Sequence, residues 1–314
     1  MIKEHEREKL EQFRKEVMSE GIVSPGDTIG TDDMTFLRFL RARKLNIKDT
    51  KKMIANCQEW RKTVEGVGMD ALYEEIDPLD YPERELVSRY WPLYFHKEGH
   101  PINIQSFGGL DVNTCTFAFS QKGMEVVSIL LYTVLQKVDG DRQWKAFLTN
   151  CDVATREIFP ACSRAKGSPI SSSFCIVDLK GFGLQKFWSA KSHLRAGFQI
   201  AQDYYPEAMA RLAIINAPAS FTIIWAAVKP WLAPETIEKV VILGEDYKKY
   251  LLEYIDAENL PAEFGGTCTC EGIGGCVMGS AGPWLDGRVW NGHGPSKFKP
   301  KQKQELTPPQ LEEM

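Results

Sequence analysis

Histidine and serine residues that could support hydrolysis form no complete catalytic motif in this sequence. Covalent hydrolysis needs a Ser or Cys nucleophile on a sharp turn, with a base such as His to accept its proton. The corresponding pattern GxSxG does not occur. None of the histidines belongs to an HExxH zinc motif; the five are His5, His96, His100, His193 and His293. We therefore predict that the protein is not an enzyme.

A glycine cluster near the end of the chain has the composition of a phosphate loop but not its context. It comprises Gly272, Gly274, Gly275 and Gly279. Phosphate loops follow a strand and begin a periodic helix, and neither pattern flanks this cluster. The sequence also lacks the GxxxxGK motif. We expect no cofactor.

The eight cysteines bear on disulfides and metal binding. Five lie among apolar neighbours without paired spacing, as is typical of buried thiols in a reducing compartment: Cys57, Cys115, Cys151, Cys162 and Cys175. The other three, Cys268, Cys270 and Cys276, are clustered, and the nearest fourth zinc ligand is His293. Because a closed zinc site needs four ligands and the CxC spacing is not the usual CxxC, we predict no metal site.

Composition indicates an ordinary globular protein. The chain has 314 residues with 38 Lys and Arg against 42 Asp and Glu, and 43% of its residues are hydrophobic. This content supports one large core and one smaller core. The longest uncharged run, 212–228, is shorter than the roughly 20 apolar residues that span a bilayer. The N-terminus is charged where a secretory leader would be apolar, so we expect a cytoplasmic protein.

The first part of the chain has the pattern of a small helical unit, 1–68. A helix is expected at about 3–20, and Asp32 or Asp33 and then Asn46 can cap two more. The stretch 36–62 carries nine basic and two acidic residues, whereas 70–86 carries seven acids and one Arg. No nucleic-acid-binding signature accompanies the basic stretch. The acidic segment 69–86, with two prolines, is interpreted as a linker.

Beyond this linker, strand and helix patterns alternate. The predicted strands are Trp91–His96, Ile102–Phe107, Ser173–Val177, Leu212–Asn216 and Val240–Leu243. The predicted helices cover about 119–138, 142–165, 186–204 and 219–230. This alternation indicates an α/β domain, 87–268, with a mostly parallel sheet. Residues 269–314 have no periodicity and are expected to form an extended tail.

Eight sequence strings, in order, resemble the CRAL-TRIO lipid-binding family over about residues 33–268. The resemblance is to its phosphatidylinositol/phosphatidylcholine transfer protein branch. The strings are LRFLRARK (37–44), NCQEWRK (56–62), PACSR (160–164), DLKG (178–181), YYPE (204–207), IINAP (214–218), KPWL (229–232) and LPAEFGG (260–266). The resemblance implies that the sheet forms the floor of an apolar lipid cavity, although the same apolar residues could equally fill a solid core.

The resemblance also implies a function. The protein would extract phosphatidylinositol from a membrane, exchange it for a second lipid, and bind Golgi or endosomal membranes transiently. A phosphatidylinositol kinase is an implied partner, and the protein is expected to be a monomer that binds no nucleic acid. The alternative is a carrier of another hydrophobic ligand, such as a sterol, tocopherol or retinoid.

Five residues match the positions that the family uses for the phosphatidylinositol headgroup: Arg43, Lys44, Glu207, Thr236 and Lys239. They supply cations for a phosphate, and donors and acceptors for hydroxyl groups. Without the resemblance, the same residues would be interpreted as solvated surface charges and a helix cap.

The second lipid headgroup would use Ser173 and Cys175, where the family has Ser and Thr. Two tyrosines that would surround a choline group are replaced by Asn103 and Glu157. Since a quaternary ammonium is bound mainly by aromatic faces, phosphatidylcholine is expected to bind less well than in the family.

The apolar segment 219–232 is typical of a buried helix, and a movable gate over the cavity is the alternative. The resemblance favours a gate with Phe221, Ile224, Trp225 and Val228 on it. Lys229–Pro230 and Gly244 would then flank it as flexible joints. Trp225 and Trp231 would lie at the level of the lipid headgroups.

Overall fold

Three helices form the N-terminal unit, as the sequence predicts. The computed structural model describes residues 2–79, 93–95, 99–107, 140–244, 246–269, 276 and 282–285. Helices α1 (Glu4–Ser19), α2 (Asp33–Ala42) and α3 (Ile47–Thr63) follow in order. The Asp32 carboxylate accepts hydrogen bonds from the first backbone N–H groups of α2, at 2.9 and 3.0 Å. Asn46 caps α3 in the same way at 3.1 Å, so both predicted caps are confirmed.

The core of this unit comes from apolar residues at helical spacing. Phe13, Phe36 and Ile54, one from each helix, are fully buried. The rings of Phe13 and Phe36 meet edge to face with centroids 5.5 Å apart, a favourable arrangement for two aromatic rings. The unit therefore has a core of its own.

The predicted acidic linker begins with a fourth helix, α4 (Met69–Glu75). Its Met69 and Leu72 are fully buried beside Leu148. These apolar residues recur at helical spacing, but charge and proline content suggested a linker. Residues 80–86 lie outside the described part of the chain.

Five strands form one sheet in the spatial order of the sequence. They are β1 (Leu93–Phe95), β2 (Pro101–Ser106), β3 (Ser173–Asp178), β4 (Met209–Ile215) and β5 (Val240–Ile242). Strand β1 is antiparallel to β2, and each later pair is parallel. The α/β fold and its mostly parallel sheet are therefore confirmed, and the ends of β2 to β5 lie within three residues of the predicted ends.

The remaining helices surround the sheet. They are α5 (Gly140–Val153), α6 (Phe159–Lys166), α7 (Leu184–Tyr204), α8 (Phe221–Val228), α9 (Pro234–Ile237) and α10 (Tyr247–Tyr254). A π-helical turn, Ala154–Ile158, separates α5 from α6 where one continuous helix was predicted. The predicted helix at 119–138 lies outside the described residues.

The two faces of the sheet have different coverings. On one face, Phe174 and Ile176 of β3 pack with Leu251 of α10 in a solid core. On the other face, Cys175 and Val177 line a cavity. Strand β3 is thus covered on both faces, as its apolar sequence predicts, but on one face a cavity separates it from the covering helices.

A buried ion pair joins the N-terminal unit to the α/β domain. Arg61 of α3 donates to the fully buried carboxylate of Asp152 on α5, at 2.5 Å. Arg156 and the hydroxyl of Tyr205 donate to the same carboxylate at 2.7 and 3.1 Å. Burial alone would lower the pKa of Arg61, but the Asp152 charge outweighs it and raises that pKa. Trp60 stacks on Tyr204 at the same junction, with ring centroids 4.0 Å apart.

The end of the domain is fixed by the LPAEFGG string. Phe264 is buried, as predicted. Gly265 has a φ of +97°, and a Cβ on Gly266 would lie 1.9 Å from the carbonyl oxygen of Leu260. The two glycines therefore allow a positive φ and a close backbone passage that other residues could not. In the tail, Trp284 and Leu285 are buried near α6.

Asp152→Asn should lower the free energy of unfolding by about 3–5 kcal/mol, because it leaves the buried Arg61 with only the more distant Asp70 carboxylate, at 3.8 Å, as a counter-ion. Urea unfolding followed by circular dichroism measures this change. The control is Glu4→Gln, in an exposed pair with Arg7, which should leave stability unchanged. A loss below about 1 kcal/mol for Asp152→Asn would contradict the structural role assigned to this pair.

Candidate functional site

A cavity of about 620 Å³ lies between the sheet and helices α5, α7 and α8. Its volume is within the range of small-molecule and cofactor sites. Apolar side chains make up most of its wall, and the aromatic ones among the described residues include Phe107, Phe147, Phe182, Phe187 and Phe198. The cavity therefore suits a ligand with a large apolar part.

The floor carries four uncharged polar residues on alternate positions of two strands. Asn103 and Gln105 belong to β2, and Ser173 and Cys175 belong to β3. The Gln105 amide donates to the side-chain oxygen of Asn103 at 2.9 Å. The Ser173 hydroxyl donates to the carbonyl of Ala208 at 3.1 Å. Burial raises the pKa of the Cys175 thiol to about 11, so it is neutral at physiological pH.

Glu157, the second position where the family has a tyrosine, lies elsewhere. Its carboxylate accepts a hydrogen bond from the hydroxyl of Tyr73. It is absent from the described wall of the cavity. Of the two replacements, only Asn103 faces the ligand space.

The mouth of the cavity brings together four of the five predicted headgroup residues. Glu207 precedes β4, Lys239 precedes β5, Thr236 lies on α9 and Arg43 ends α2. Parallel strands place their amino ends at the same sheet edge, which explains the meeting of Glu207 and Lys239. The Lys239 ammonium is 2.7 Å from the Glu207 carboxylate.

Lys44, the fifth predicted residue, lies on the rim and not in the described wall. Its side chain is 85% exposed and its ammonium is 3.1 Å from the carboxylate of Glu235. Lys44 and Glu207 have φ values of +50° and +55°, which are uncommon for residues other than glycine. The positive φ of Lys44 ends α2, because it directs the N–H of Leu45 back to the carbonyl of Leu40, at 2.8 Å.

Two charged residues of the mouth were missed by sequence reasoning. Glu235 adjoins Thr236 and lines the cavity, and its own backbone N–H and the Lys44 ammonium lower the pKa of its carboxyl group. Arg41 also lines the cavity, and the Glu6 carboxylate binds it through two hydrogen bonds of 2.7 and 2.9 Å. Glu235 is adjacent to a predicted position and Arg41 belongs to the LRFLRARK string, but nothing local indicates their partners.

Helix α8 closes one side of the cavity. The predicted gate residues Phe221, Ile224, Trp225 and Val228 all line it. The opposite side of the helix is exposed, with Ile223 at 53%. The helix is therefore a cover with one face on the cavity, and not a helix buried all round.

The indole rings of Trp225 and Trp231 belong to the wall of the cavity. Trp225 stacks on Phe221 and Trp231 on Phe187, and both line the cavity. The exposed indole in the described part of the chain is Trp188 of α7, at 54%. Stacking inside the cavity removes the apolar surface of both rings from water. Their expected position at the headgroup level applies to a gate that is open on a membrane, and it stays a prediction.

Comparison with known proteins agrees with this geometry. Residues 89–266 match the family model described as CRAL/TRIO domain, and residues 1–56 match CRAL/TRIO, N-terminal domain. The chain belongs to the CRAL-TRIO family. The resemblance read from the eight sequence strings is thus confirmed.

Relatives within this family are similar over most of the chain. The Sec14 cytosolic factor of Schizosaccharomyces pombe is 38% identical over 269 residues, which cover 85% of each protein. The Arabidopsis thaliana phosphatidylinositol/phosphatidylcholine transfer protein SFH4 is 34% identical over 91% of this chain and 43% of its own length. The crystal structure of Sfh5 aligns with a TM-score of 0.55 and 16% identity, covering 85% of this chain and 88% of that one. The last match supports the fold alone.

Within the described residues, no helix has the length and apolarity to cross a bilayer, and no cluster of three potential metal ligands occurs. The Cys276 thiol donates to the carbonyl of Cys268 at 3.0 Å. Cys270 and His293, the other candidate zinc ligands, lie outside the described part of the chain.

The Glu6–Arg41 pair predicts a pH dependence of stability. The Arg41 hydrogen bond lowers the pKa of Glu6 from 4.5 to about 2. The pair therefore stabilises the fold above pH 4.5, and this contribution is lost as the pH falls towards 2. Urea unfolding should show Glu6→Gln less stable than wild type by roughly 1–3 kcal/mol at pH 7, and the difference should vanish near pH 2. A difference that stays constant from pH 7 to pH 2 would contradict the assignment.

Proposed function

We propose that this protein is a phosphatidylinositol transfer protein, which takes the lipid from a membrane into its cavity and exchanges it for a second lipid. The observation that carries the proposal is a charged mouth on a cavity whose wall is mostly apolar. A phospholipid has the same division between a charged headgroup and apolar chains. The names of the relatives SFH4, SFH7 and SFH12, phosphatidylinositol/phosphatidylcholine transfer proteins, support it.

The apolar part of the cavity serves the acyl chains. At about 0.8 kcal/mol for each CH₂ group, exposing a sixteen-carbon chain to water would cost on the order of 12 kcal/mol. A carrier must therefore enclose the chains during transfer. No covalent step is needed, so we propose a function without catalysis or cofactor.

The mouth serves the headgroup. Arg43, Lys44 and Lys239 are suited to bind the phosphate, while Glu207 and Thr236 are suited to bind inositol hydroxyls. A sterol, tocopherol or retinoid would have no use for these charges, so the mouth does not favour such a molecule as the sole cargo.

Two ion pairs join charged residues of the mouth to each other. Lys239 is paired with Glu207, and Lys44 with Glu235. An entering phosphate would compete with both carboxylates for the two ammonium groups. Each lysine therefore has an anionic partner both without and with a bound phosphate, so the free energies of these two states differ little.

The covering helix and its neighbour form the side that we assign to the membrane. Ile223 and Trp188 are exposed there, and Lys191 lies over the Trp188 ring at 4.7 Å. Segments 179–202 and 217–234 contain no Asp or Glu. Their basic residues are Lys180, Lys186, Lys191, Arg195 and Lys229. Such a surface attracts anionic lipids, so we propose transient binding to Golgi or endosomal membranes and presentation of the lipid to a kinase by a monomer.

Lys44→Ala combined with Lys239→Ala should weaken phosphatidylinositol binding by about ten- to a hundredfold, since each charge-assisted hydrogen bond contributes ~1.5 kcal/mol or more. Binding is measured by native mass spectrometry after incubation with phosphatidylinositol vesicles. Lys48→Ala with Lys52→Ala is the matched control, because both lysines are exposed in the same basic stretch. Glu235→Gln should act in the opposite direction and strengthen binding by up to about fivefold. Equal binding by both double variants would reject the headgroup assignment.

Ile223→Glu should slow phosphatidylinositol transfer between vesicles at least tenfold while leaving lipid already in the protein in place. The reason is that residue 223 lies on the outer face of the cover, where a charge opposes contact with the bilayer. Val67→Glu is the control, since Val67 is 56% exposed and lies outside the covering helix. Parallel loss of transfer in both variants would argue against a specific membrane side.

A further inference from the structure

The four polar residues of the cavity floor form a strip that the charged mouth does not explain. Asn103 and Cys175 are register partners on β2 and β3, and Gln105 and Ser173 are two residues away on the same face. Side chains two residues apart on a strand point to the same side, which agrees with all four lining the cavity. The strip, defined as Asn103, Gln105, Ser173 and Cys175, carries no charged side chain.

The hydrogen bonds within the strip leave some of its polar groups available to a ligand. Gln105 donates to Asn103, which leaves the Asn103 amide nitrogen and the Gln105 amide oxygen facing the cavity. If both side-chain amides were rotated by 180°, the free nitrogen would belong to Gln105 and the free oxygen to Asn103, so the same donor and acceptor would remain. Within the described residues, neither group bonds to another protein atom. The Ser173 hydroxyl donates to the carbonyl of Ala208 and accepts from the Cys175 thiol at 3.4 Å, which leaves one lone pair for a ligand. The strip therefore presents one strong donor group beside acceptors.

This chemistry selects among lipid headgroups. A quaternary ammonium has no N–H and is bound by aromatic faces, and the strip has none. A phosphate calls for cationic donors, which in the described structure lie at the mouth and not on the strip. A neutral hydroxyl group both donates and accepts one hydrogen bond, and the adjacent amide nitrogen and oxygen match it. A site built in this way also rejects analogues without the hydroxyl, because its amides would then be covered without partners.

We propose that the strip binds the free hydroxyl group of the second lipid, an uncharged lipid such as a sterol or a diacylglycerol. The inference rests on the proposed function and names the class of lipid exchanged for phosphatidylinositol. Ser173 bonds to Ala208, which follows Glu207, so the strip begins where the mouth ends. The two headgroups thus occupy neighbouring places while their apolar parts share one cavity. Only one of the two lipids is bound at a time.

The test measures lipid uptake by native mass spectrometry of the full chain. Vesicles contain phosphatidylcholine with either cholesterol, dioleoylglycerol or phosphatidylinositol, and a further set contains cholesterol methyl ether. Wild type should take up cholesterol or dioleoylglycerol at least tenfold better than phosphatidylcholine and should not take up the ether. Comparison of uptake from the cholesterol vesicles and the dioleoylglycerol vesicles distinguishes a sterol from a diacylglycerol as the ligand. Preference for phosphatidylcholine over both hydroxyl lipids would overturn the proposal.

Substitutions in the strip test whether its side chains are responsible for uptake of the hydroxyl lipid. Asn103→Leu with Gln105→Leu should reduce uptake of the hydroxyl lipid at least tenfold and change phosphatidylinositol uptake less than twofold. Gln105→Met removes one amide and keeps a similar side-chain volume, so it should reduce uptake of the hydroxyl lipid by a smaller factor. This variant replaces the double variant if the latter does not fold. Asn150→Leu is the matched control, because Asn150 lines the cavity but its amide is bonded to Ala146 in its own helix.

The results separate this inference from the proposed function. Equal loss of hydroxyl lipid and phosphatidylinositol in the strip variants would assign the strip to the phosphatidylinositol site and overturn the inference. Unchanged uptake of the hydroxyl lipid would also overturn it. If wild type takes up no phosphatidylinositol, the proposed function fails, while the cholesterol and dioleoylglycerol arms still decide the role of the strip.

Discussion

The buried carboxylate of Asp152 is the interaction on which the geometry of the mouth depends. Arg61 reaches it from the N-terminal unit, and Arg156 and Tyr205 reach it from the α/β domain. A charge without exposure to water is tolerated only when its partners are fixed, so this carboxylate fixes the position of α3 against α5 and α7. Arg43, at the end of the helix before α3, is thereby held at the opening of a cavity that otherwise belongs to the other unit. Neither unit alone contains the complete mouth.

The cavity follows from an unequal covering of one sheet. Helix α10 packs directly on one face, with Leu251 fully buried against the strands. The other face meets α5, α7 and α8 across an open space. Strand β3 shows the consequence residue by residue, because Phe174 and Ile176 enter the solid core while Ser173 and Cys175 face the cavity. An apolar chain in this space replaces the side-chain contacts that a solid core would have, which is the physical basis for carrying a lipid.

Polarity within the cavity is arranged in two zones with different chemistry. At the mouth, carboxylates and ammonium groups form ion pairs, as Lys239 and Glu207 do. On the floor, neutral amides, a hydroxyl and a thiol lie side by side, and burial keeps Cys175 protonated. The first zone suits an anion and the second a neutral hydroxyl group, so one apolar space can serve two headgroups without requiring them to be alike. Helix α8 covers the space with its apolar face inward and Ile223 outward.

Sequence alone determined the features that depend on neighbouring residues. The caps at Asp32 and Asn46, the five strands and the one-sided apolar pattern of the N-terminal helices are local, and the structure confirms them. The eight strings in order also sufficed for the family. Tertiary structure decided what depends on distant partners. Composition could not distinguish a cavity from a solid core, because both use the same apolar residues. Arg41, Lys44 and Asp152 pair with Glu6, Glu235 and Arg61, which lie 35, 191 and 91 positions away, and only packing brings these pairs together.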